Sequence, residues 1–506
     1  MRSWLGYIFI AIISFGHAQE ENIFGAPYYR DARLKPQLIV YKPFMPTLDL
    51  KLNPEQDSSF KPSPKSNIGR AKDFFQKHFM ENYLFEVHEG NVNLFVSPVV
   101  NFQFGNNLVG EDEPYLFQNS RGFYVKGSLL KNFSFCSAFV ENQARFSVYE
   151  TNYIAQHGEF YSTLQQNGVV PGGGRTKPFK DGGYDYAYAI GSFLYKPIES
   201  LEIRAGNAQK FIGSGYRSLL LSDHSYQSPN LEIKFAFNQK WSYGMRKTRL
   251  FNLIRKPEYS TVEGYYQPKA HGLHFLEYKF NNKLSIGLYE QSIWSMGDTT
   301  TQNPHALFYM PLPILGLTQS TNYNLYGLNA SEVLGKKVRL YQQFIFSGFE
   351  LKKMGLQLGV RVYDLIPNSM LQLEYNKVGE ELYSTINPRM SFTHYNLPLA
   401  HPKGQGFHEF ILRLNYSWKR IYGESKSIIF WLKNFNERDL LPVPISSTTF
   451  NDYLIHQQIE LGYRINPKIN FCLFVRGVYR KFNVEENQML LHFGLSTNLF
   501  SSYNDY

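Results

Sequence analysis

The chain has 506 residues, of which 17% are aromatic, 19% are charged and 43% are hydrophobic, and its formal net charge is +10. Its 42 Phe and 37 Tyr exclude an intrinsically disordered chain, because such chains lack the apolar area that folding requires. A helical membrane protein is excluded too, since no run after residue 20 approaches the roughly 18 apolar residues of a spanning helix. A β-rich chain with dispersed aromatics remains, and this composition is typical of an outer-membrane barrel.

The first residues predict an export signal. Arg2 gives the positive start, residues 4–15 form an apolar run, and the small residues Gly16 and Ala18 precede a cut ahead of Gln19. A membrane anchor is the alternative, but the run is short for one. Removing the signal, residues 1–18, leaves 51 basic against 42 acidic residues, a net charge of +9. Because the chain is exported, this charge favours lipid phosphates or acidic polysaccharide over nucleic acid as a partner.

Residues 19–92 are predicted to form a periplasmic arm followed by a helix. The arm contains prolines that disfavour a regular strand or helix: Pro43, Pro46, Pro54, Pro62 and Pro64. Ser66 or Asn67 can then cap a helix. A stripe at spacings of three and four follows, made of Ile68, Ala71, Phe74, Phe75, His78, Phe79 and Asn82. We expect this stripe to pack on the protein itself, with contact to the membrane surface as the alternative.

From residue 93 to 506 the pattern alternates with a period of two, which predicts β-strands. Short polar links separate some strands and long links separate others, as in outer-membrane barrels. At roughly 20 to 25 residues per strand and connection, the stretch predicts an all-β fold, a transmembrane antiparallel β-barrel of about 18 strands. Aromatic residues at strand ends are expected to form girdles at the lipid interfaces: Tyr195, Trp241, Tyr243, Trp294, Trp418 and Trp431.

The region near 147–223 interrupts this alternation. Residues 147–185 are too long for a turn and are rich in Gly, and Gly206, Gly213 and Gly215 would weaken a strand interior. We therefore predict inward or surface loops in this region. Inward loops would plug the lumen.

Five stretches stand out from simple strands. They are GNAQKFIGSGYRSLLLSD at 206–223, NSRGFYVKGSL at 119–129, ENQARF at 141–146, VPGGGR at 170–175 and HYNLPLAHPKGQGFHEF at 394–410. Together they resemble the Wzi capsule-assembly family, and within it the Bacteroidota branch of the gliding motility protein RemB. The resemblance implies an outer-membrane barrel with periplasmic helices and a lectin-like role in holding exopolysaccharide or capsule. The RemB branch adds an implied role in gliding.

Tyr216, Arg217 and Asp223 match the family motif and are the candidate polysaccharide contacts. Tyr216 offers a flat face and a hydroxyl, while Arg217 and Asp223 can hydrogen-bond the hydroxyl or carboxylate groups of a sugar acid. The structural alternative is that Arg217 pairs with Asp223 or Glu141 and fixes an inward loop against the wall.

The other polar residues that stand out are expected to have structural roles rather than to bind ligands or catalyse a reaction. Because barrel interiors are polar, we expect a lumen network of Glu141, Asn142, Gln143 and Arg175. The histidines at 394, 401 and 408 are spaced by seven, but Pro398 and Pro402 favour an ordinary surface loop over a metal site. The two cysteines, Cys136 and Cys472, are far apart and are expected to be free thiols, buried or facing lipid.

Catalysis and cofactors are not predicted. Ser222, Asp223 and His224 are consecutive, so their side chains cannot form a triad, and the sequence carries no nucleophile elbow, zinc signature or phosphate-binding loop. The sequence therefore predicts a non-enzymatic barrel that binds or organises surface polysaccharide in contact with outer-membrane lipid, with adhesion or gliding as a further role. A porin-like channel or polymer exporter is one alternative. A scaffold for gliding or secretion machinery is another.

Overall fold

The computed structural model describes residues 80, 82–109, 115–130, 132–159, 167–255, 266–296, 303–435, 440–442, 450–482, 485–497 and 503–506. The predicted signal segment, the cut ahead of Gln19 and the predicted arm and helix up to residue 79 lie outside the described residues. A short strand, Phe85–Glu89, precedes the barrel wall and pairs with its first strand.

Among the residues that the structure describes, eighteen strands form the wall of a closed antiparallel barrel. They are β1 Val92–Asn107, β2 Leu116–Leu129, β3 Phe133–Arg145, β4 Gly183–Ile198, β5 Leu201–Gly206, β6 Asn230–Ala236, β7 Trp241–Arg255, β8 Tyr266–Lys279, β9 Leu284–Ser295, β10 Tyr323–Leu334, β11 Val338–Phe346, β12 Met354–Tyr363, β13 Ser369–Val378, β14 Phe407–Trp418, β15 Ile421–Phe435, β16 Phe450–Asn466, β17 Phe471–Phe482 and β18 Glu485–Ser496. Strand β18 pairs with β1, which closes the barrel without a free edge.

Short and long connections alternate around the barrel. The short ones lie at one end and include 130–132, 199–200, 280–283, 335–337 and 419–420. The long ones lie at the other end and include 146–182, 207–229, 296–322 and 379–406. This asymmetry is that of outer-membrane barrels, which have short periplasmic turns and longer outer loops. The predicted outer-membrane barrel of about 18 strands is confirmed.

Strand β3 illustrates how alternation builds the wall. Phe139 is exposed on the outer face, whereas its neighbours Ala138 and Val140 are buried towards the lumen. On the outer face, the Phe139 ring lies 6.3 Å from that of Phe123 on β2. Cys136 shares the buried inner face of β3. It and Cys472 are both buried, and no disulfide joins them, as predicted.

The predicted aromatic girdle is confirmed in part. Tyr195, Trp241, Trp418 and Trp431 are exposed on the outer wall, and Tyr243 is half-buried there. Trp294 departs from the prediction and is only 3% exposed.

A long connection folding down over the outside of the wall explains the burial of Trp294. This outer clasp, residues 303–322, contains the 3₁₀ turns Ala306–Tyr309 and Leu315–Thr318. Its Phe308 ring packs edge-on at 5.8 Å from the Trp294 ring.

The outer clasp also covers charged groups on the lipid side of the wall. The backbone N–H of Ile314 donates a hydrogen bond to the Glu290 carboxylate. Ile314 adopts a φ of +70°, which is strained for a β-branched residue. The carbonyl of Pro311 accepts a hydrogen bond of 2.8 Å from the Tyr243 hydroxyl. The clasp thus satisfies polar groups that lipid could not satisfy.

The described residues contain one α-helix, α1 Val148–Gln156, which Ser147 and Glu150 cap reciprocally. In the part of the chain that the structure describes, no helix is long and apolar enough to cross a membrane. Helix α1 packs Tyr149 against Leu116, Val478 and Leu490, whose side chains line the inner wall. The helix therefore lies inside the barrel.

Candidate functional site

Four segments of the chain fold into the lumen and together form the plug: the described residues of 146–176, residues 207–229, residues 379–406 and residues 503–506. The prediction of an ordinary surface loop around the histidines is wrong, because His394 and His401 are 1% and 0% exposed. The physical reason is that a barrel of this size has a wide polar interior, so a long loop finds partners inside as readily as outside.

The 207–229 segment crosses the lumen and is held by wall side chains. The amide of Gln343 on β11 donates to the Ile212 carbonyl at 2.9 Å, and its oxygen accepts from the Leu219 N–H at 2.8 Å. Gly213 allows this close approach. Its φ is +114°, and a Cβ there would come 2.2 Å from the Gln343 amide nitrogen. The backbone conformation therefore favours glycine at this position, and a side chain there would also displace the Gln343 amide.

Leucines anchor the same segment by apolar packing. Leu219 and Leu220 are completely buried in the largest core cluster, which also contains Phe275, Ile293 and Leu325 of the inner wall. The Ser218 hydroxyl accepts hydrogen bonds of 3.2 Å from the backbone of both Leu220 and Leu221. The interior is thus a packed core as well as a polar one.

Arg217 lies at the centre of this core. Its guanidinium is 0% exposed and lies 3.2 Å from the Glu409 carboxylate of β14. Its Nη1 lies 2.9 Å from the Asp505 carboxylate, although that contact is too bent for a hydrogen bond, and its Nη2 donates to the Asp505 carbonyl at 2.7 Å. The Glu374 carboxylate accepts from the backbone N–H of Tyr216 at 2.6 Å and of Arg217 at 3.0 Å.

The 503–506 segment completes the cluster. The Asp505 carboxylate accepts hydrogen bonds from Lys426 of β15, at 2.6 Å, and from the Tyr216 hydroxyl. Tyr149 of α1 donates to the Asn504 carbonyl at 2.6 Å. The segment is therefore held by hydrogen bonds from the wall, from the 207–229 segment and from α1.

The charges in this cluster support one another. Burial alone would raise the pKa of Asp505, but Arg217 and Lys426 hold that pKa well below its ordinary value. Burial likewise opposes the charge on Arg217, but Asp505 and Glu409 outweigh it and raise the Arg217 pKa. Both groups therefore stay charged at neutral pH.

The neighbouring histidines behave differently. Burial lowers the pKa of His224 well below its ordinary value, and the nearby Arg217 charge adds to the effect. Burial also lowers the pKa of His401, against the opposing attraction of Glu409. Both rings are therefore neutral at pH 7.

The structure brings Tyr216, Arg217 and Asp223 into the same buried region, but not as a direct cluster. Asp223 accepts a hydrogen bond from the Tyr503 hydroxyl rather than pairing with Arg217. The expected structural pairing of Arg217 with Asp223 or Glu141 is also corrected, since its partners are Glu409 and Asp505.

The predicted lumen network is divided by the alternation of β3. Of its three residues on β3, only Asn142 points inward, where its side chain donates to the Tyr186 carbonyl at 3.2 Å. Glu141 points outward and lies 3.8 Å from Arg121, with both side chains more than half exposed. Gln143 shares the outer face with Glu141. Three consecutive strand residues cannot all face the lumen, because successive side chains alternate between faces.

Arg175 does lie among the inward segments. It forms an ion pair of 3.1 Å with Glu159, whose side chain is 0% exposed. A short hairpin, in which Val169–Val170 pairs with Gly174–Arg175, holds it in place.

Sequence reasoning missed Glu374, Glu409, Lys426 and Asp505. The three wall residues carry a readable signal, since each stands on the inner side of an alternating strand where polar residues are expected. Asp505 carries no such signal. Among the described residues, no group of three or more His, Cys, Asp or Glu is placed to hold a metal ion.

Comparisons with known proteins support the fold. No protein-family model and no curated protein matches the chain. The structure is similar to that of Wzi from Escherichia coli, an outer-membrane protein involved in group 1 capsule assembly and described as a carbohydrate-binding β-barrel. The TM-score is 0.57 at 12% identity, over 94% of this chain and 99% of that one.

Two further solved structures are similar at lower scores. OccAB4 of Acinetobacter baumannii has a TM-score of 0.42 at 10% identity, over 81% of this chain and 98% of that one. OprD of Pseudomonas aeruginosa has a TM-score of 0.41 at 10% identity, over 80% and 94%. The predicted likeness to Wzi is confirmed at the level of the fold.

Proposed function

We propose that this barrel binds surface exopolysaccharide or capsule and holds it at the outer membrane. The observation that carries the proposal is the filled lumen, in which the 207–229 segment, the 379–406 segment, α1 and the 503–506 segment pack against one another and the wall. A polysaccharide-binding barrel has no need of an open channel. The similarity in fold to a carbohydrate-binding barrel, over 94% of this chain, supports the same proposal.

Tyr216, Arg217 and Asp223 remain the proposed polysaccharide contacts. In this structure Arg217 is fully buried and Tyr216 is 3% exposed, so a polymer on the outer surface does not touch them directly. Their contribution requires the segments above them to move. In the structure, the same residues join the 207–229 segment to the wall and to the 503–506 segment.

A porin-like channel or polymer exporter is the principal alternative. It requires a continuous wet path, and the packed interior argues against a wide one. We also propose adhesion or gliding as the cellular role of the bound polysaccharide, in keeping with the resemblance to the RemB branch. A scaffold for gliding or secretion machinery is the third candidate. The proposed activity is binding, without catalysis or a cofactor.

The test is retention of polysaccharide on cells. A strain lacking the gene should release surface polysaccharide into the medium, and the wild-type gene should restore retention. The matched control is a complementing barrel that carries Arg121→Met, a change on the outer wall away from the plug. Unchanged retention in the deletion strain would refute the proposal, and gliding speed measured in the same strains would separate the two cellular roles.

A further inference from the structure

The 503–506 segment fits its surroundings as a ligand fits a site. Its Asp505 carboxylate meets two cations and a hydroxyl, from Arg217, Lys426 and Tyr216, which come from two separate parts of the chain. Convergence of two cations and a hydroxyl on one carboxylate is how proteins recognise carboxylate ligands. The carboxylate itself is 0% exposed.

The next residue of the segment, Tyr506, contributes an aromatic ring. The ring of Tyr506 stacks on the ring of Tyr153 with centroids 3.7 Å apart and an angle of 28° between the planes. The ring of Tyr149 lies 6.1 Å from the Tyr506 ring, and the ring of His224 lies 6.2 Å from it at a steep angle. The segment therefore presents a carboxylate and a six-membered ring to a cationic patch and an aromatic platform.

The site requires an anion. If Asp505 were withdrawn, Lys426 would lose the acidic partner at 2.6 Å, and Arg217 would keep only Glu409 among its ion pairs. Buried cations without counter-charges are strongly unfavourable, so an anion must enter or the region must open.

We propose that these residues form a binding site for a sugar acid and that the 503–506 segment is its tethered occupant. The carboxylate of the sugar acid would take the place of Asp505 between Arg217 and Lys426. The ring of a neighbouring sugar in the polymer would take the place of the Tyr506 ring on Tyr153. This inference rests on the proposed polysaccharide function and names the chemistry of the recognised group.

The covalent attachment of the 503–506 segment determines how strongly it competes with a free ligand. A covalently attached occupant acts at an effective concentration of roughly millimolar or above, so a free ligand must overcome this before it binds. Wild-type protein should therefore bind free sugar acids weakly. Acidic residues repeated along a polymer would compete better, because many copies rebind.

The experiment uses glucuronate as the probe and isothermal titration of the purified barrel as the measurement. A variant lacking residues 503–506 should bind glucuronate roughly tenfold or more tightly than wild type, because the competitor has been removed. Glucose, which lacks the carboxylate, should bind neither protein measurably. Adding Lys426→Met to the shortened variant should abolish the gain. A folded shortened barrel that binds glucuronate no better than wild type overturns the proposal.

A second variant covers failure of the shortened chain to fold. Asp505→Asn keeps the segment and its tyrosines but removes the charge, so it should also bind glucuronate more tightly than wild type. No gain in that variant overturns the proposal in the same way. The two proposals fail separately: glucuronate binding without any retention defect on cells would sink the polysaccharide function alone, whereas a retention defect without glucuronate binding would sink the sugar-acid site alone.

Discussion

Replacing Arg217 by methionine tests how far the buried ion cluster stabilises the barrel. The change keeps an unbranched apolar side chain of similar length but removes the contacts to Glu409 and Asp505. Breaking a buried pair by removing one partner costs about 3 to 5 kcal/mol, because the other charge is left behind. Glu409 keeps a contact of 2.8 Å to His401, and Asp505 keeps Lys426 at 2.6 Å. We therefore expect a loss at the lower end, about 3 kcal/mol.

The assay is urea unfolding of the barrel in lipid vesicles, followed by tryptophan fluorescence. Arg121→Met is the matched control, since Arg121 lies 3.8 Å from Glu141 and both side chains are more than half exposed. An exposed pair of this kind contributes at most about 1 kcal/mol. If Arg217→Met costs no more free energy of unfolding than Arg121→Met, the reasoning about the buried cluster is refuted.

The inward segments lead to three further predictions. Acidification from pH 7.5 to 5 should lower the melting temperature, measured by tryptophan fluorescence. Burial lowers the folded-state pKa values of His224 and His401, so the unfolded chain takes up protons first as the pH falls. The stability that these histidines contribute is therefore present above their ordinary pKa of 6.5 and is lost as the pH falls below it. A melting temperature that rises at pH 5 would contradict this, and His224→Phe should reduce the drop. Gly213→Ala should destabilise the barrel by about 1 to 3 kcal/mol in the urea assay, because alanine is strained at a φ of +114° and its Cβ would displace Gln343; Gly477→Ala, at a position with open space around the added Cβ, is the control. Planar-bilayer recordings of wild-type protein should show little steady conductance, and large steady channels would favour the porin-like alternative.

The wall was predictable because the face to which a strand residue points depends only on its position along the strand. Alternation around Phe133 and Phe139 predicts the strand and puts both rings on one face, and the structure shows that this face points outward. The same rule, carried two and four residues further along the strand, places Glu141 and Gln143 outside with the phenylalanines. The period-two pattern, applied strictly, would therefore have removed Glu141 and Gln143 from the expected lumen network.

The interior was less predictable because inward and surface loops share the same composition. The segment around His394 and His401 contains Pro, Gly and polar residues that suit a loop in water, yet it is buried. Its Leu397 and Leu399 are the local signal for burial, since both lie in apolar clusters. No local signal predicts that Asp505 meets Arg217, because the pairing depends on where the closed wall places two remote segments.

The separation of those partners along the chain bears on the order of assembly. Arg217 precedes Glu409 by 192 positions and the Asp505 carbonyl that it contacts by 288 positions. Contacts between such remote residues form late, because the entropy of closing long loops must be overcome first. Strands β13 to β15 must be in place before the 207–229 segment can settle, so the cluster should remain hydrated during insertion. Cleavage by trypsin after Arg217 would then mark barrels whose closure is incomplete, and resistance to it would mark finished ones.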